Sequence, residues 1–223
     1  MKLSFLSWLV TVLIPLVLIG LAIRLLLSPV FYRLEYSMPY FPQDEYGFTK
    51  EDRLKWAPYA VNYLVNDADT SYLGDLTFED GSPLYNDREL RHMADVKRIT
   101  QGALRVWYGS LVLILGLGVW AWFGGWWQEY LLGLKRGGWL IVGLAVTIGL
   151  IVVIGIAFNP NVFNSFFVAF HSLFFEGDSW LFLYSDTLIR LFPLRFWQDA
   201  FLWAAAIALG GGVALALGIK PKL

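Results

Sequence analysis

The chain contains only two histidines, His92 and His171, and their chemistry gives the first hypothesis about function. Histidine is the side chain whose ordinary pKa of about 6.5 lets it accept or donate a proton near neutral pH. The hydropathy pattern places both residues outside the long apolar runs but close to the surface of a membrane. Two such groups on one side of the membrane are candidates for a general acid and a general base. The alternative is that both are polar residues at an interface, without a role in chemistry.

The elements that must position these histidines are membrane spans. The chain is 57% hydrophobic, whereas soluble domains are about 45–50% apolar. The excess lies in four runs, each near or above the roughly 20 residues that a membrane helix needs. Backbone groups in lipid must be hydrogen-bonded internally, so the runs predict helices rather than strands. The predicted spans are Leu3–Leu27, Leu104–Trp127, Trp139–Phe158 and Ala200–Ile219.

Three segments connect the predicted spans. Residues 28–103 are too long for a bare loop and predict a small folded cap. Residues 128–138 predict a short loop, and residues 159–199 predict an aromatic loop on the same side as the cap.

The cap is predicted to contain both helices and strands. Capping patterns begin at Thr49 and at Asn86, and each predicts a helix N-terminus. Leu73–Phe78 and Ser82–Tyr85 flank Glu79-Asp-Gly81 and predict a β-hairpin. The predicted fold is therefore an all-α membrane protein with four transmembrane helices and a small extracytoplasmic α/β cap.

Basic residues near the span ends predict the orientation. They precede the first span (Lys2), lie between the second and third (Lys135, Arg136) and follow the fourth (Lys220, Lys222). Cytoplasmic loops are enriched in lysine and arginine, so both termini are expected in the cytoplasm, with the cap and the aromatic loop outside. The chain has no cysteine, which excludes disulfides, a thiol nucleophile and a cysteine metal site.

The two histidines have different settings. His92 lies three positions before Asp95 on a predicted helix, so the carboxylate could orient the imidazole. The alternative is a solvated helix face. His171 lies in the apolar, aromatic segment Phe163–Phe182. Aromatic residues are enriched at membrane interfaces, and a histidine at such a place is a functional candidate or is bonded to backbone or lipid.

Two sequence blocks resemble a known family. The first is Leu84-Tyr-Asn-Asp-Arg-Glu-Leu-Arg-His92-Met-Ala-Asp95-Val-Lys97, and the second is Phe170-His171-Ser-Leu-Phe-Phe175 continuing through Asp178-Ser-Trp180. They resemble the signature blocks of the bacterial lipoprotein intramolecular transacylase family, Lit, and the resemblance covers essentially the whole chain. It implies a membrane acyltransferase that moves the sn-2 acyl chain of a diacylated lipoprotein to its own N-terminal α-amino group. The product is a lyso-form lipoprotein.

The resemblance also implies a set of site residues. His92 and His171 map onto the family's catalytic histidines, without an assignment of which is acid and which is base. Five residues are weaker candidates for binding substrate or supporting the site: Arg24, Asp95, Asp178, Trp180 and Asp186. Arg24 could bind an ester carbonyl or a headgroup, or could extend its charge to the membrane surface. Asp178 and Asp186 could fix the aromatic loop, bind the amine or be solvated.

The expected partners are a diacylated lipoprotein and membrane lipids, without nucleic acid, metal or cofactor. A metal-dependent membrane hydrolase remains an alternative, because the histidines, Asp95, Glu176 and Asp178 supply enough oxygen and nitrogen ligands for zinc. Against it, the histidines lack the close helical spacing of zinc motifs. A non-enzymatic membrane scaffold that binds lipid or lipoprotein is the third reading. The sequence does not predict the oligomeric state.

Overall fold

The computed structural model describes residues 2–159, 161–175 and 177–222. The regular elements in these ranges are helices. They are α1 (Lys2–Leu26), α2 (Pro29–Glu35), α3 (Lys50–Val65), α4 (Ser71–Gly74), α5 (Asp87–Phe123), α6 (Trp127–Phe158), α7 (Val162–Phe174), α8 (Thr187–Leu191) and α9 (Leu194–Gly218).

Four of these helices are long and apolar enough to cross a membrane. They are α1 from Phe5 onward, α5, α6 and α9. Each covers most of one of the four spans predicted from the sequence, and α6 covers its predicted span completely. The apolar part of α5 begins near Leu104, whereas its first turns are rich in charged residues. The prediction of a helical membrane protein is therefore confirmed.

The predicted capping pattern at Thr49 is present at the start of α3. The Thr49 hydroxyl accepts a hydrogen bond from the backbone N–H of Asp52 at 3.1 Å. The Asp52 carboxylate accepts one from the backbone N–H of Thr49 at 2.9 Å. Two donors that would lack partners in the first turn are satisfied in this way.

The predicted α/β character of the cap is wrong, because no strand occurs in the described residues. The predicted turn around Gly81 does form, and an isolated antiparallel bridge joins Thr77 to Pro83. Pro83 has no N–H to extend a ladder, which limits pairing at this point. The first predicted strand is also shortened by α4, whose single helical turn includes Leu73. The segment consists of the single helical turn of α4 followed by a tight turn.

Residues 128–138, which the sequence predicts to be a loop, are helical. α6 begins at Trp127 and continues through them to Phe158. A Cβ added at Gly133 would lie 2.8 Å from Val10 Cβ, and one added at Gly137 would lie 2.5 Å from Ile14 Cβ. The glycines therefore let the start of α6 pack closely on α1, as small residues do in membrane helix pairs.

Residues 159–199 are also more regular than a loop. They contain α7, α8 and the first residues of α9. The fold divides into two compact units. Unit 1 contains the described residues within 1–24, 103–160 and 202–223, and unit 2 contains those within 25–102 and 161–201.

Unit 1 is built from the apolar helices. Its buried residues form two clusters: Leu13, Ile14, Leu18, Ile114, Ile141 and Ala208 in one, and Val10, Ala121, Trp126 and Tyr130 in the other.

Unit 2 has two buried clusters rich in aromatic side chains. One includes Trp56, Leu73, Tyr85, Met93, Leu188 and Leu191, and the other includes Phe31, Tyr36, Ala57 and Phe196. Both histidines belong to unit 2, so the packing of this unit determines their geometry.

Candidate active site

The structure brings His92 and His171 together. The centroids of their rings are 6.1 Å apart, and the planes differ by 21°. His92 lies near the beginning of α5, and His171 lies in the last turn of α7. The predicted convergence of two histidines from distant parts of the sequence is present in unit 2.

The start of α5 is fixed by a reciprocal cap. The Asn86 side-chain oxygen accepts a hydrogen bond from the backbone N–H of Glu89 at 3.0 Å. The Glu89 carboxylate accepts one from the backbone N–H of Asn86 at 2.8 Å. The capping pattern predicted at Asn86 is confirmed, and it sets the beginning of the helix that carries His92.

Glu89 also links α5 to α8. Its second carboxylate oxygen accepts a 2.7 Å hydrogen bond from the backbone N–H of Leu188. The Thr187 hydroxyl donates a hydrogen bond to the carbonyl oxygen of Leu84 beside it. Glu89 is only 1% exposed, so these bonds are made away from water. The capping pattern that begins at Asn86 predicts the local bond of Glu89, but no pattern in the sequence predicts this long-range one.

α8 is held from its other end by two arginines. Arg53 donates a hydrogen bond to the carbonyl oxygen of Arg190 at 2.9 Å. Arg190 forms an ion pair with Asp44 at 3.0 Å, in which both side chains are largely buried. These contacts fix α8 against the segment before α3, and α8 in turn supports Glu89.

His92 lies in an aromatic environment and is 8% exposed. Its ring centroid is 4.9 Å from that of Phe175 and 5.2 Å from that of Phe182. Its Nδ1 atom is enclosed and has no hydrogen-bond partner among the described residues. Burial among apolar rings disfavours the charged form of an imidazole, so His92 is neutral in this environment.

His171 is oriented by a backbone carbonyl. Its Nδ1 lies 2.8 Å from the carbonyl oxygen of Phe167, one turn earlier in α7. A carbonyl oxygen can only accept, so Nδ1 carries the proton and, in the neutral ring, Nε2 keeps its lone pair. Burial lowers the pKa of His171, and the bond to Phe167 opposes this effect. A neutral ring with a free Nε2 lone pair has the form that a general base requires.

Trp180 packs against His171. Their ring centroids are 5.1 Å apart. Trp180 ends a turn that begins at Gly177, whose φ of +64° is in the left-handed region that favours glycine. The Trp180 indole nitrogen is enclosed and has no hydrogen-bond partner among the described residues.

Asp186 fixes the loop between Trp180 and α8. Its carboxylate accepts hydrogen bonds from the backbone N–H of Leu183 at 2.8 Å and from the Asn86 side chain at 3.2 Å. Arg88 donates a hydrogen bond to the carbonyl oxygen of Leu181 at 3.0 Å. Together these bonds hold the segment that places Phe182 against His92. Of the roles considered for Asp186, the contacts support fixing the loop.

The other candidate residues have different surroundings. Asp95 forms an ion pair with Arg98 at 3.1 Å. Burial lowers the pKa of His92 more than the negative charge of Asp95 raises it, and the role of Asp95 in orienting the ring stays a prediction. Asp178 is exposed. Arg24 is half-buried in the last turn of α1 and belongs to unit 1.

The ligand set of a metal-dependent hydrolase is not assembled in the described ranges. Within them, no group of three or more histidine, cysteine, aspartate or glutamate side chains has the geometry to hold a metal ion. Glu176, one of the ligands considered, lies outside the described residues.

Comparison with known proteins identifies the family. The profile of the family described as lipoprotein intramolecular transacylase Lit matches residues 8–197. A protein of Aquifex aeolicus (strain VF5), described as uncharacterized, is 30% identical over 227 residues, which cover 98% of this chain and 95% of that protein.

Two solved structures have the same fold. One is the membrane-integral lipoprotein intramolecular transacylase Lit from Bacillus cereus, with a TM-score of 0.70, 21% identity and coverage of 96% of this chain and 92% of that one. The other is a variant of that protein in which a histidine is replaced by arginine, with a TM-score of 0.69, 20% identity and coverage of 96% and 88%.

Proposed function

Because the chain belongs to the lipoprotein intramolecular transacylase family Lit, we propose that His92 and His171 are the acid–base pair of this membrane acyltransferase. The enzyme moves the sn-2 acyl chain of a diacylated lipoprotein to the α-amino group of its own N-terminal cysteine and leaves a lyso-form lipoprotein. The observation that carries the proposal is the 6.1 Å separation of the two imidazole rings.

His171 is the better general base of the pair. Its Nδ1–H is engaged by the Phe167 carbonyl, which leaves the Nε2 lone pair to accept a proton. This is the proton that the nitrogen must lose as it becomes an amide. The α-amino group, whose ordinary pKa is about 7.7–8.0, first gives its extra ammonium proton to solvent near neutral pH. The deprotonated amine then attacks the carbonyl carbon of the sn-2 ester.

The departing sn-2 oxygen must receive a proton. His92 is neutral in its apolar surroundings, so the proton that His171 has accepted passes to His92, which delivers it to this oxygen. Two charged imidazoles this close, in apolar surroundings, would repel each other strongly. The pair therefore holds one extra proton at most. For each proton taken from nitrogen, one is returned to oxygen, so the enzyme is unchanged after each turnover.

The reaction needs no nucleophile from the enzyme. The substrate supplies both the amine and the ester, and holding them together gives a large advantage because intramolecular reactions reach very high effective molarities. The Gly-x-Ser-x-Gly pattern of serine hydrolases is absent from the sequence. Accordingly, the mechanism requires neither cofactor nor metal.

The surroundings of His171 suit a lipid substrate. α7 contains no Asp, Glu, Lys or Arg, and its side chains at Phe166, Leu173 and Phe174 are exposed to 44%, 76% and 44%. A 13-residue apolar helix is too short to cross a membrane and is typical of an interfacial segment. We place α7 and the site at the extracytoplasmic surface of the bacterial cell membrane, with both termini in the cytoplasm.

The experiment is expression in a bacterium whose lipoproteins are diacylated, followed by mass spectrometry of their N-terminal peptides. The wild-type protein should shift one acyl chain from glycerol to nitrogen. His92→Gln and His171→Gln should accumulate in the membrane without forming this product. Ser172→Ala is the matched control, since Ser172 follows His171 in α7 and its hydroxyl bonds, within the described ranges, only the Val168 carbonyl. This control should form the product.

Each alternative gives a different outcome. A scaffold would leave every lipoprotein unchanged in the wild-type strain. A metal-dependent hydrolase would release a free fatty acid, leave the amine unacylated and lose activity with chelator. Either result would overturn the proposal.

A further inference from the structure

The aromatic residues around the two imidazoles differ in one respect. In the part of the chain that the structure describes, the aromatic residues in contact with His92 or His171 are Phe167, Phe170, Phe175, Trp180 and Phe182. Of these five, Trp180 alone carries a hydrogen-bond donor. The other aromatic groups can shape the site and exclude water but cannot stabilise a charge by donating a hydrogen bond.

The Trp180 donor is available for a ligand. Its Nε1 is enclosed, with no acceptor among the described residues. An enclosed N–H without a partner costs about 1–3 kcal/mol, so its occurrence beside a functional side chain requires an explanation. The neighbouring donor on His171, Nδ1–H, is already used by the Phe167 carbonyl.

Acyl transfer creates a need for such a donor. When the amine nitrogen attacks, a new C–N bond forms and the carbonyl π electrons move to the carbonyl oxygen of the ester. The tetrahedral intermediate therefore carries negative charge on that oxygen. The electrons return when the bond to the sn-2 glycerol oxygen breaks. A fixed N–H aimed at the charged oxygen stabilises this intermediate more than the uncharged ester.

We propose that the Trp180 indole N–H, which packs beside His171, donates a hydrogen bond to the oxyanion formed from the sn-2 ester carbonyl. This inference rests on the proposed function and adds the group that stabilises its intermediate. Two features in the flanking sequence fix the position of the indole. The turn at Gly177 comes before Trp180, and the hydrogen bond from Arg88 to the Leu181 carbonyl comes directly after it. Fixed geometry is what an oxyanion donor requires.

The test uses the purified full-length enzyme with a synthetic diacylglyceryl-cysteine peptide in detergent micelles. Trp180→Phe keeps an aromatic ring and removes the N–H. We expect kcat to fall by about 10²–10³-fold, as for loss of one oxyanion donor. KM should change little, because the donor acts mainly on the intermediate.

A matched control is available in unit 1. The Trp126 indole nitrogen is also enclosed and without a partner among the described residues. Trp126→Phe makes the same chemical change outside the unit that carries the histidines, and it should keep kcat within about threefold of wild type. Replacing Trp180 by 3-benzothienylalanine, which has the shape of tryptophan but no N–H, should be as defective as Trp180→Phe.

The outcomes separate this inference from the proposed function. If the wild-type enzyme forms no lyso-form product, the proposed function fails. If the wild type is active and the benzothienyl variant keeps its kcat, the donor role fails while the proposed function stands. A rise in KM with an unchanged kcat would also overturn the donor role, since Trp180 would then only bind the substrate.

Discussion

The backbone N–H of Leu188 donates a 2.7 Å hydrogen bond to the carboxylate of Glu89, one helical turn before His92. The other carboxylate oxygen caps α5 at Asn86. A single buried side chain therefore connects the start of the helix that carries one histidine to α8. It belongs to the support of the site and does not need to contact the substrate.

Replacing Glu89 should destabilise the protein. Glu89→Gln presents an N–H₂ group to one of two backbone donors and leaves that donor without an acceptor. We expect a loss of about 1–3 kcal/mol in the free energy of unfolding, measured by tryptophan fluorescence during thermal unfolding in detergent. Glu51→Gln, at an exposed site in the first turn of α3, is the control and should change stability by less than about 0.5 kcal/mol. Equal stability of the two variants would refute the linking role of Glu89.

Glu35 should make stability depend on pH. It is fully buried at the end of α2. Burial, followed by the nearby carboxylate of Asp199, raises the pKa of Glu35 from 4.5 to about 7, and the charge of Arg195 opposes the shift. The folded protein therefore binds a proton at Glu35 more tightly than the unfolded chain. This stabilisation is fully present below pH 4.5, and it is lost as the pH rises through about 7.

The corresponding variant is Glu35→Gln, which keeps a polar group of the same shape but cannot titrate. Its melting temperature should fall less than that of wild type between about pH 5 and about pH 8. Glu45→Gln alters an exposed carboxylate and should follow the wild-type pH profile. If the melting temperature of Glu35→Gln depends on pH as that of wild type does, protonation of Glu35 does not contribute to stability.

The orientation in the membrane can be tested by cysteine labelling, because the natural chain has no cysteine. Glu79→Cys places a thiol in the tight turn before Gly81, where the Glu79 side chain is 96% exposed. Lys222→Cys places one at an exposed position after α9. A reagent that cannot cross the membrane should label Glu79→Cys in intact cells but label Lys222→Cys only after lysis. The reverse pattern would place the site on the cytoplasmic side.

Much of the architecture could be predicted from local sequence patterns. Long apolar runs are sufficient to predict the four spans, because lipid leaves few other structures possible. Hydroxyl or amide residues followed by an acid three positions later predicted the helix starts at Thr49 and Asn86, since these bonds form between near neighbours. The meeting of His92 and His171 followed from the family resemblance.

The errors and omissions concern contacts that local patterns do not specify. Asp95 lies three positions after His92, and its carboxylate forms an ion pair with Arg98, three positions further along α5. The hydrogen bond from Leu188 to Glu89 joins distant segments, and no spacing rule predicts it. The hairpin prediction was right about the turn at Gly81. It was wrong about the strands, because Pro83 has no N–H with which to extend the pairing.

The central claim is that His92 and His171 act as one catalytic unit. The direct test compares kcat/KM of purified His92→Gln, His171→Gln and the double variant on the same diacylated lipopeptide. Each single change should lower kcat/KM by about 10²–10⁴-fold, and the double variant should be little worse than the poorer single one, because residues that act together are not additive. Wild-type activity in either single variant, or losses that multiply in the double variant, would contradict the account.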